Sequence, residues 1–294
     1  MTDARRRVLE TFQSYGGLAF TLKELADMAG VSTSVIKGMV ALGAVQEEDA
    51  PRDLPFQPLE TDHSQTTLTP AQGKAASALI AGLKQQNYGT TLLKGVTGTG
   101  KTEVYLEPVS ECLCQGRQAL VLLPEIALTA EFLSRVEARF GAFPAEWHSG
   151  VTLTERRRVW KMVGAGGAQM VIGARSALFL PYQNLGLIVV DEEHDSSYKQ
   201  EDGVLYHARD MAVLRASICG ARVVLASATP SLESWANAEA GKYQYLELAA
   251  RFGAAVMPKL GAIDMRGESL PAGRWISHTL QKAIEHRLQA GEQS

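Results

Sequence analysis

Cysteine is scarce in these 294 residues: Cys112, Cys114 and Cys219 are the whole supply. Three thiols at these spacings build neither a disulfide framework nor a zinc ligand set, so the chain reads as cytoplasmic, with reduced thiols and no zinc site. Long apolar runs are lacking too. Nothing approaches the ~18 consecutive apolar residues of a membrane span, and the N-terminus has no apolar signal core, so no membrane is expected as a partner. Charge of one sign is also missing, at a net −3. A global electrostatic footprint for nucleic acid is thereby excluded, and any such binding has to come from local patches. Internal repeats and low-complexity tracts are absent. What remains, 46% hydrophobic and 21% charged, suits one large globular domain with a smaller one beside it.

The most informative residues are Gly95, Val96, Thr97, Gly98, Thr99, Gly100, Lys101 and Thr102, which fit the pattern G-x-x-x-x-G-K-[ST]. They follow Thr90-Thr91-Leu92-Leu93-Lys94, a buried strand by composition, and precede a stretch that continues as a helix. Glycines let successive backbone N–H groups face one concavity, where they and the helix N-terminus offer positive charge to phosphates. Lys101 would add a full charge at the β- and γ-phosphates of ATP, and the Thr102 hydroxyl would ligate Mg²⁺. A second element completes the set. Leu185 to Val190 is an apolar run suited to a central parallel strand, and Asp191-Glu192-Glu193-His194 follows it. Asp191 would then reach the metal and Glu192 the attacking water, so Lys101, Asp191 and Glu192 are the expected catalytic residues.

The organisation changes near residue 50. Residues 1–48 read as a small helical, winged-helix-like domain: helices from Ala4 to Ser14, from Leu22 to Ala29 after a Thr21 cap, and from Thr33 to Leu42 after a Ser32 cap. Gly30 allows a sharp turn, Ala26 a close approach of two helices, and Ala44-Val45-Gln46 would begin a wing strand. The alternative is a three-helix adaptor that touches only protein. Residues 49–65, with Pro51, Pro55 and Pro58, read as an extended linker. From 66 to 294 helical and strand patterns alternate, the signature of an α/β domain built on a parallel sheet. Expected are a helix from Pro70 to about Leu83, the strand before the Gly-rich loop, a helix to about Gln115 that Pro108 should kink, and strands at 119–123, 170–172, 187–190 and 223–226.

Five segments in order, Gly95 to Thr102, Leu123 to Thr129, Gly173 to Ala177, Asp191 to His194 and Ser227 to Ser231, resemble the motifs of superfamily 2 helicases. Asp191 to Gln200, Tyr206 to Asp210 and Ser227 to Ser234 are similar, more narrowly, to the primosomal replication-restart helicases. The resemblance implies a RecA-like P-loop NTPase lobe preceded by a winged helix, ATP and Mg²⁺ as cofactors, 3′-to-5′ movement on DNA, and single-stranded DNA, forked DNA and primosome or replication-restart proteins as partners.

It also assigns residues. Gln72 would read the adenine edge; otherwise it is a solvent-facing helix residue. Ser227 and Thr229 would couple nucleotide state to DNA grip, or else cap a strand end. Pro124, Thr129, Arg175 and Ser176 would touch single-stranded backbone. His194, Tyr198, Lys199 and Tyr206 belong to the region that resembles an aromatic-rich loop relaying DNA engagement to hydrolysis, unless both tyrosines pack on the domain. Val204-Leu205 stands there where the family often has another aromatic. The runs Arg5 to Arg7 and Arg156 to Arg158 read as solvated faces. The family's second motor lobe, zinc cluster and amino-terminal DNA-binding domain have no counterpart here, which implies a fragment or shortened relative with feeble hydrolysis and no unwinding of its own. A non-enzymatic nucleotide-binding adaptor is the competing reading.

Overall fold

The computed structural model describes residues 2–14, 20–47, 54–124, 127, 129–248, 261–267, 270, 273 and 275–291. Three helices come first, α1 (Asp3–Ser14), α2 (Leu22–Ala29) and α3 (Thr33–Ala41). Thr21 and Glu24 exchange side-chain and backbone hydrogen bonds at the start of α2, and Gly30 ends it in the left-handed region at φ 59°. Ser32 precedes α3 without a side-chain cap; its hydroxyl lies 2.8 Å from that of Ser34 instead. Val8, Leu25, Ala26, Ala29, Ile36 and Met39 make a core of their own. The wing differs from expectation: residues 42–47 form turns and irregular backbone with no strand, since no described segment pairs with them, and 48–53 lie outside the described residues.

The described part of the proline-rich stretch has irregular backbone with a turn at 61–62, and it is pinned. Arg158 stacks on Phe56 at 4.0 Å and donates from Nε to the Leu54 carbonyl at 2.6 Å. Leu59 donates its N–H to Gln169 at 2.7 Å and buries its side chain, and Arg139 donates to the Thr61 carbonyl at 3.0 Å. Arg158 is therefore a clamp for this strap rather than a solvated charge; Arg156 likewise spends its guanidinium on the His148 carbonyl at 2.8 Å.

Beyond the strap lies a seven-stranded sheet, parallel at every pairing. Its strands are β1 (Gly89–Gly95), β2 (Gln118–Leu122), β3 (Ala145–Trp147), β4 (Met170–Gly173), β5 (Leu185–Asp191), β8 (Arg222–Ser227) and β9 (Gln244–Leu248), in the spatial order β3-β4-β2-β5-β8-β1-β9. A separate two-stranded hairpin, β6 (Lys199–Gln200) and β7 (Tyr206–His207), hangs between β5 and β8 in sequence.

Side-chain alternation sends each central strand into two cores. Ala119 and Val121 join α4 (Pro70–Lys84), α5 (Lys101–Cys114) and α6 (Ala130–Phe140) on one face. Leu120 and Leu122 join α7 (Leu153–Gly164), α8 (Ala208–Cys219) and α9 (Leu232–Glu239) on the other. The last described helix is α10 (His278–Gln289). α5 is continuous as a helix through Pro108, whose missing N–H deprives the Val104 carbonyl of its helical partner. Burial on both faces is why the apolar strands were readable as unbroken runs. The parallel arrangement gathers the loops after β1, β2, β4, β5 and β8 on one edge.

Gly173 shows how tightly that edge is built. A Cβ there would overlap the Trp147 carbonyl oxygen and come 2.8 Å from the Ala177 Cβ. Gly173→Ala is expected to lower the unfolding free energy by about 1–3 kcal/mol, read as a lower urea midpoint at unchanged slope.

Candidate nucleotide and nucleic-acid site

β1 ends on Gly95, and the loop from Val96 to Gly100 leads into α5 at Lys101. Gly98 and Gly100 take φ 82° and 76°, backbone that L side chains rarely adopt, and a Cβ on Gly95 would lie 2.6 Å from the Thr99 hydroxyl. Thr99 points inward, its hydroxyl donating to the Val96 carbonyl at 2.9 Å, while Val96, Thr97 and Gly98 form the exposed rim. Lys101, only 8% exposed, donates from Nζ to the Gly95 carbonyl at 2.9 Å and lies 3.5 Å from Glu192 Oε1. The lysine therefore spans the loop's own concavity.

Gln72 is neither solvent-facing nor free. At 4% exposure, its Oε1 accepts the Thr69 N–H at 2.8 Å and its Nε2 donates to the Thr99 carbonyl at 2.8 Å. Thr69 and Gln72 form a capping box at the start of α4, and that geometry turns the amide onto the phosphate-type loop. An adenine edge would have to compete with both bonds.

β5 brings Asp191 to the same edge. Tyr105, fully buried on α5, donates its hydroxyl to Asp191 Oδ2 at 2.9 Å, and Oδ1 accepts the Glu192 N–H at 3.0 Å. Burial pushes the Asp191 carboxyl above the usual carboxylate range, more than these donors pull it down. A cation held there would relieve that burial. Among the described residues no three His, Cys, Asp or Glu side chains gather around a metal position. Asp191 and Thr102, which both meet the Tyr105 hydroxyl, could instead hold Mg²⁺, which keeps waters and takes phosphate oxygens as ligands.

Among the described residues Glu192 is one of two non-glycine residues with positive φ, at 46°. Such a conformation costs about 1–3 kcal/mol and persists where the surroundings impose it. It sets the carboxylate between Lys101 Nζ and His194 Nδ1, each 3.5 Å away. His194 Nδ1 lies 2.7 Å from Ser227 Oγ, and that oxygen accepts the Thr229 N–H at 3.0 Å. Residues from the loops after β1, β5 and β8, three adjacent strands, thus form one chain of polar contacts.

The residues expected on nucleic acid are distributed less simply. Tyr198 is 1% exposed, with its hydroxyl 2.6 Å from the Asp191 carbonyl and 3.0 Å from that of Leu122. Its ring packs in the core and offers no face to a base, which corrects the stacking role. Tyr206 is half-buried and edge-on to Phe179 at 5.1 Å. Arg175 donates to the carbonyls of Ser197 and Lys199 at 3.0 and 2.7 Å, so it braces the hairpin. Ser176 is exposed and accepts the Trp147 indole N–H at 3.1 Å. Thr129 caps α6, Pro124 is buried at the end of β2, and Glu125, Ile126 and Leu128 lie outside the described residues. Lys199 and Thr229 remain exposed, Lys199 beside Glu201 at 2.8 Å. A cavity of about 260 Å³, lined by Leu123, Ala174, Arg175, Ser197 and Tyr198, opens along this edge.

Sequence reasoning gave no role to Glu193, Ser231 or Ser234, all of which meet in the interior at Arg209 or at one another. The available signal was a carboxylate next to Glu192 and serines in a strand-end string, which by themselves do not announce burial.

Residues 69–238 match the DEAD/DEAH box helicase model. The chain is 40% identical over 253 residues to "Replication restart protein PriA" of Rickettsia felis, covering 85% of this chain and 39% of that protein. It is 39% identical over 282 residues to the protein of the same name from Bacillus subtilis, covering 95% and 35%. The chain thus spans less than half the length of these relatives. Among solved structures, RecG bound to a three-way DNA junction superposes with a TM-score of 0.52 at 19% identity, over 81% of this chain and 31% of that one, a likeness of fold.

Proposed function

Because the chain belongs to the DEAD/DEAH box helicase family, we propose that it binds ATP with Mg²⁺ at the loop after β1 and couples hydrolysis to DNA in replication restart. The observation that carries this reading is the chain of contacts Lys101–Glu192–His194–Ser227, each link between 2.7 and 3.5 Å, drawn from three neighbouring strands. Lys101 would exchange the Gly95 carbonyl for phosphate oxygens, while the loop from Gly95 to Gly100 surrounds them with N–H groups. Thr102 and Asp191 would hold Mg²⁺, which when bound neutralises charge on the phosphates. Glu192 would orient the attacking water and take its proton. His194, Ser227 and Thr229 lead from that carboxylate to the edge where Thr129, Ser176 and Lys199 would meet phosphates of single-stranded DNA. Gln72 would reach the adenine only by giving up a bond in its cap.

The PriA relatives carry replication restart in their name, and the RecG structure holds a branched DNA. The name supports DNA and replication-restart proteins as partners; forked DNA, primosome proteins, 3′-to-5′ movement in the whole protein and work in the cytoplasm are carried by the resemblance of this chain's motifs to the primosomal replication-restart helicases. No described helix is long and apolar enough to cross a membrane. The test is phosphate release from ATP by the purified chain with no DNA, with single-stranded DNA and with a fork. Release stimulated by single strands, and more by the fork, is expected. ATP binding with no release above a Glu192→Gln blank, with or without DNA, would point to the adaptor instead.

A further inference from the structure

Glu193 is a buried carboxylate that the steps above leave unused. It is 0% exposed, and its backbone N–H donates to the Ala226 carbonyl at 3.0 Å. Its Oε1 accepts the Ser231 N–H at 2.7 Å; its Oε2 accepts the hydroxyls of Ser231 and Ser234 at 2.9 Å each and lies 3.4 Å from Arg209 Nη1. Arg209, also buried, donates from Nη1 to Ser231 Oγ at 2.6 Å and from Nε to Asp210 at 2.8 Å, with Glu233 3.7 Å away. A carboxylate taken wholly from water persists only where donors replace the water, and here they do.

Those donors come from separate segments. Glu193 follows Glu192 directly. Arg209 stands in the first turn of α8, immediately after the hairpin strand β7, and Arg175 braces the base of that hairpin. Ser231 caps α9 and lies two residues beyond Thr229. A shift of the hairpin must therefore move Arg209 against both the loop holding Glu192 and the loop holding Ser227 and Thr229. Apolar side chains fill space at least as well as a buried ion pair, so what this pair adds is fixed geometry among the three segments.

We propose that the Glu193–Arg209 pair is a positioning device that links the hairpin to the Glu192–His194–Ser227 contacts, so that nucleic acid engaging the hairpin sets the rate of ATP hydrolysis. It rests on the nucleotide and DNA reading given above. Neither residue touches the nucleotide or DNA; both act through Ser231 and through the backbone beside Glu192.

The experiment uses the full chain as Glu193→Gln, Arg209→Lys and the double variant. For each, kcat and the KM for ATP are measured with and without a single-stranded thymidine oligonucleotide, beside thermal unfolding. The ratio of DNA-stimulated to DNA-free kcat is expected to fall at least about fivefold in each single variant, with KM for ATP within about twofold of wild type. The double variant should fall no further than the worse single one. Variants that keep the wild-type ratio overturn the inference, as do rates that decline together in step with the unfolded fraction. Arg209→Lys keeps the charge and carries the test if the glutamine variant fails to fold. A wild-type chain that DNA does not stimulate overturns the parent reading and this inference with it, whereas a stimulated wild type beside indifferent variants overturns this inference alone.

Discussion

Glu192→Gln is expected to leave ATP affinity within about twofold and to lower turnover on the order of 10²–10⁴-fold. The amide has the size of the carboxylate and its oxygen can still face Lys101, so the loop after β1 keeps its shape. What it loses is the ability to take a proton from water. The left-handed backbone at Glu192 fixes where that oxygen stands, between Lys101 and His194, and glutamine inherits the position. A fluorescent ATP analogue titrated into both proteins measures binding, and single-turnover phosphate release measures the chemistry. Wild-type turnover in the glutamine variant would remove Glu192 from its assigned role.

Lys101→Ala should weaken ATP binding by about 1.5–3 kcal/mol, or roughly 10- to 150-fold in Kd, the range of a hydrogen bond to a charged group. The lysine is buried and already placed at the mouth of the glycine loop, so little ordering remains to oppose its bond to phosphate. Its loss also leaves the His194 imidazole, 3.5 Å away, as the neighbour of the Glu192 carboxylate. Calorimetric titration with ATP and Mg²⁺ checks the result, and unfolding in urea checks that the alanine variant is folded. A variant that titrates like its parent would show that phosphates bind elsewhere.

What the sequence alone discloses differs with the kind of residue. The glycine loop, Asp191 and Glu192 were legible because local spacing and one apolar strand determine where they sit. The strands at 119–123, 170–172, 187–190 and 223–226 were legible for the same reason, being apolar on both faces. β3 was not: Ala145-Glu146-Trp147 is too short to show a period, and its pairing is decided by Gly173 on β4. β9 reads Gln244-Tyr245-Leu246-Glu247-Leu248, the mixed composition of an edge strand, and it too was passed over. Tyr198 and Arg175 were assigned to nucleic acid on type and place in a motif. Whether an aromatic ring faces outward or into a core is fixed by tertiary packing, and the carbonyls of Leu122 and Asp191 draw the Tyr198 hydroxyl inward. The buried placing of Gln72 had its cue in Thr69 three residues earlier, its partner in a capping box.

The place of β1 in the sheet has a bearing on how the chain is made. β1 hydrogen-bonds to β8 on one side and β9 on the other, and both leave the ribosome on the order of a hundred residues after it. Until then β1 presents two open edges and the apolar side chains of Leu92 and Leu93, a state prone to wrong pairing in a growing chain. The glycine loop at its end has no fixed platform in that interval, since Glu192, His194 and Ser227 also await the sheet. The nucleotide site after β1 therefore rests on a platform that is complete only once β8 and β9 have paired with it.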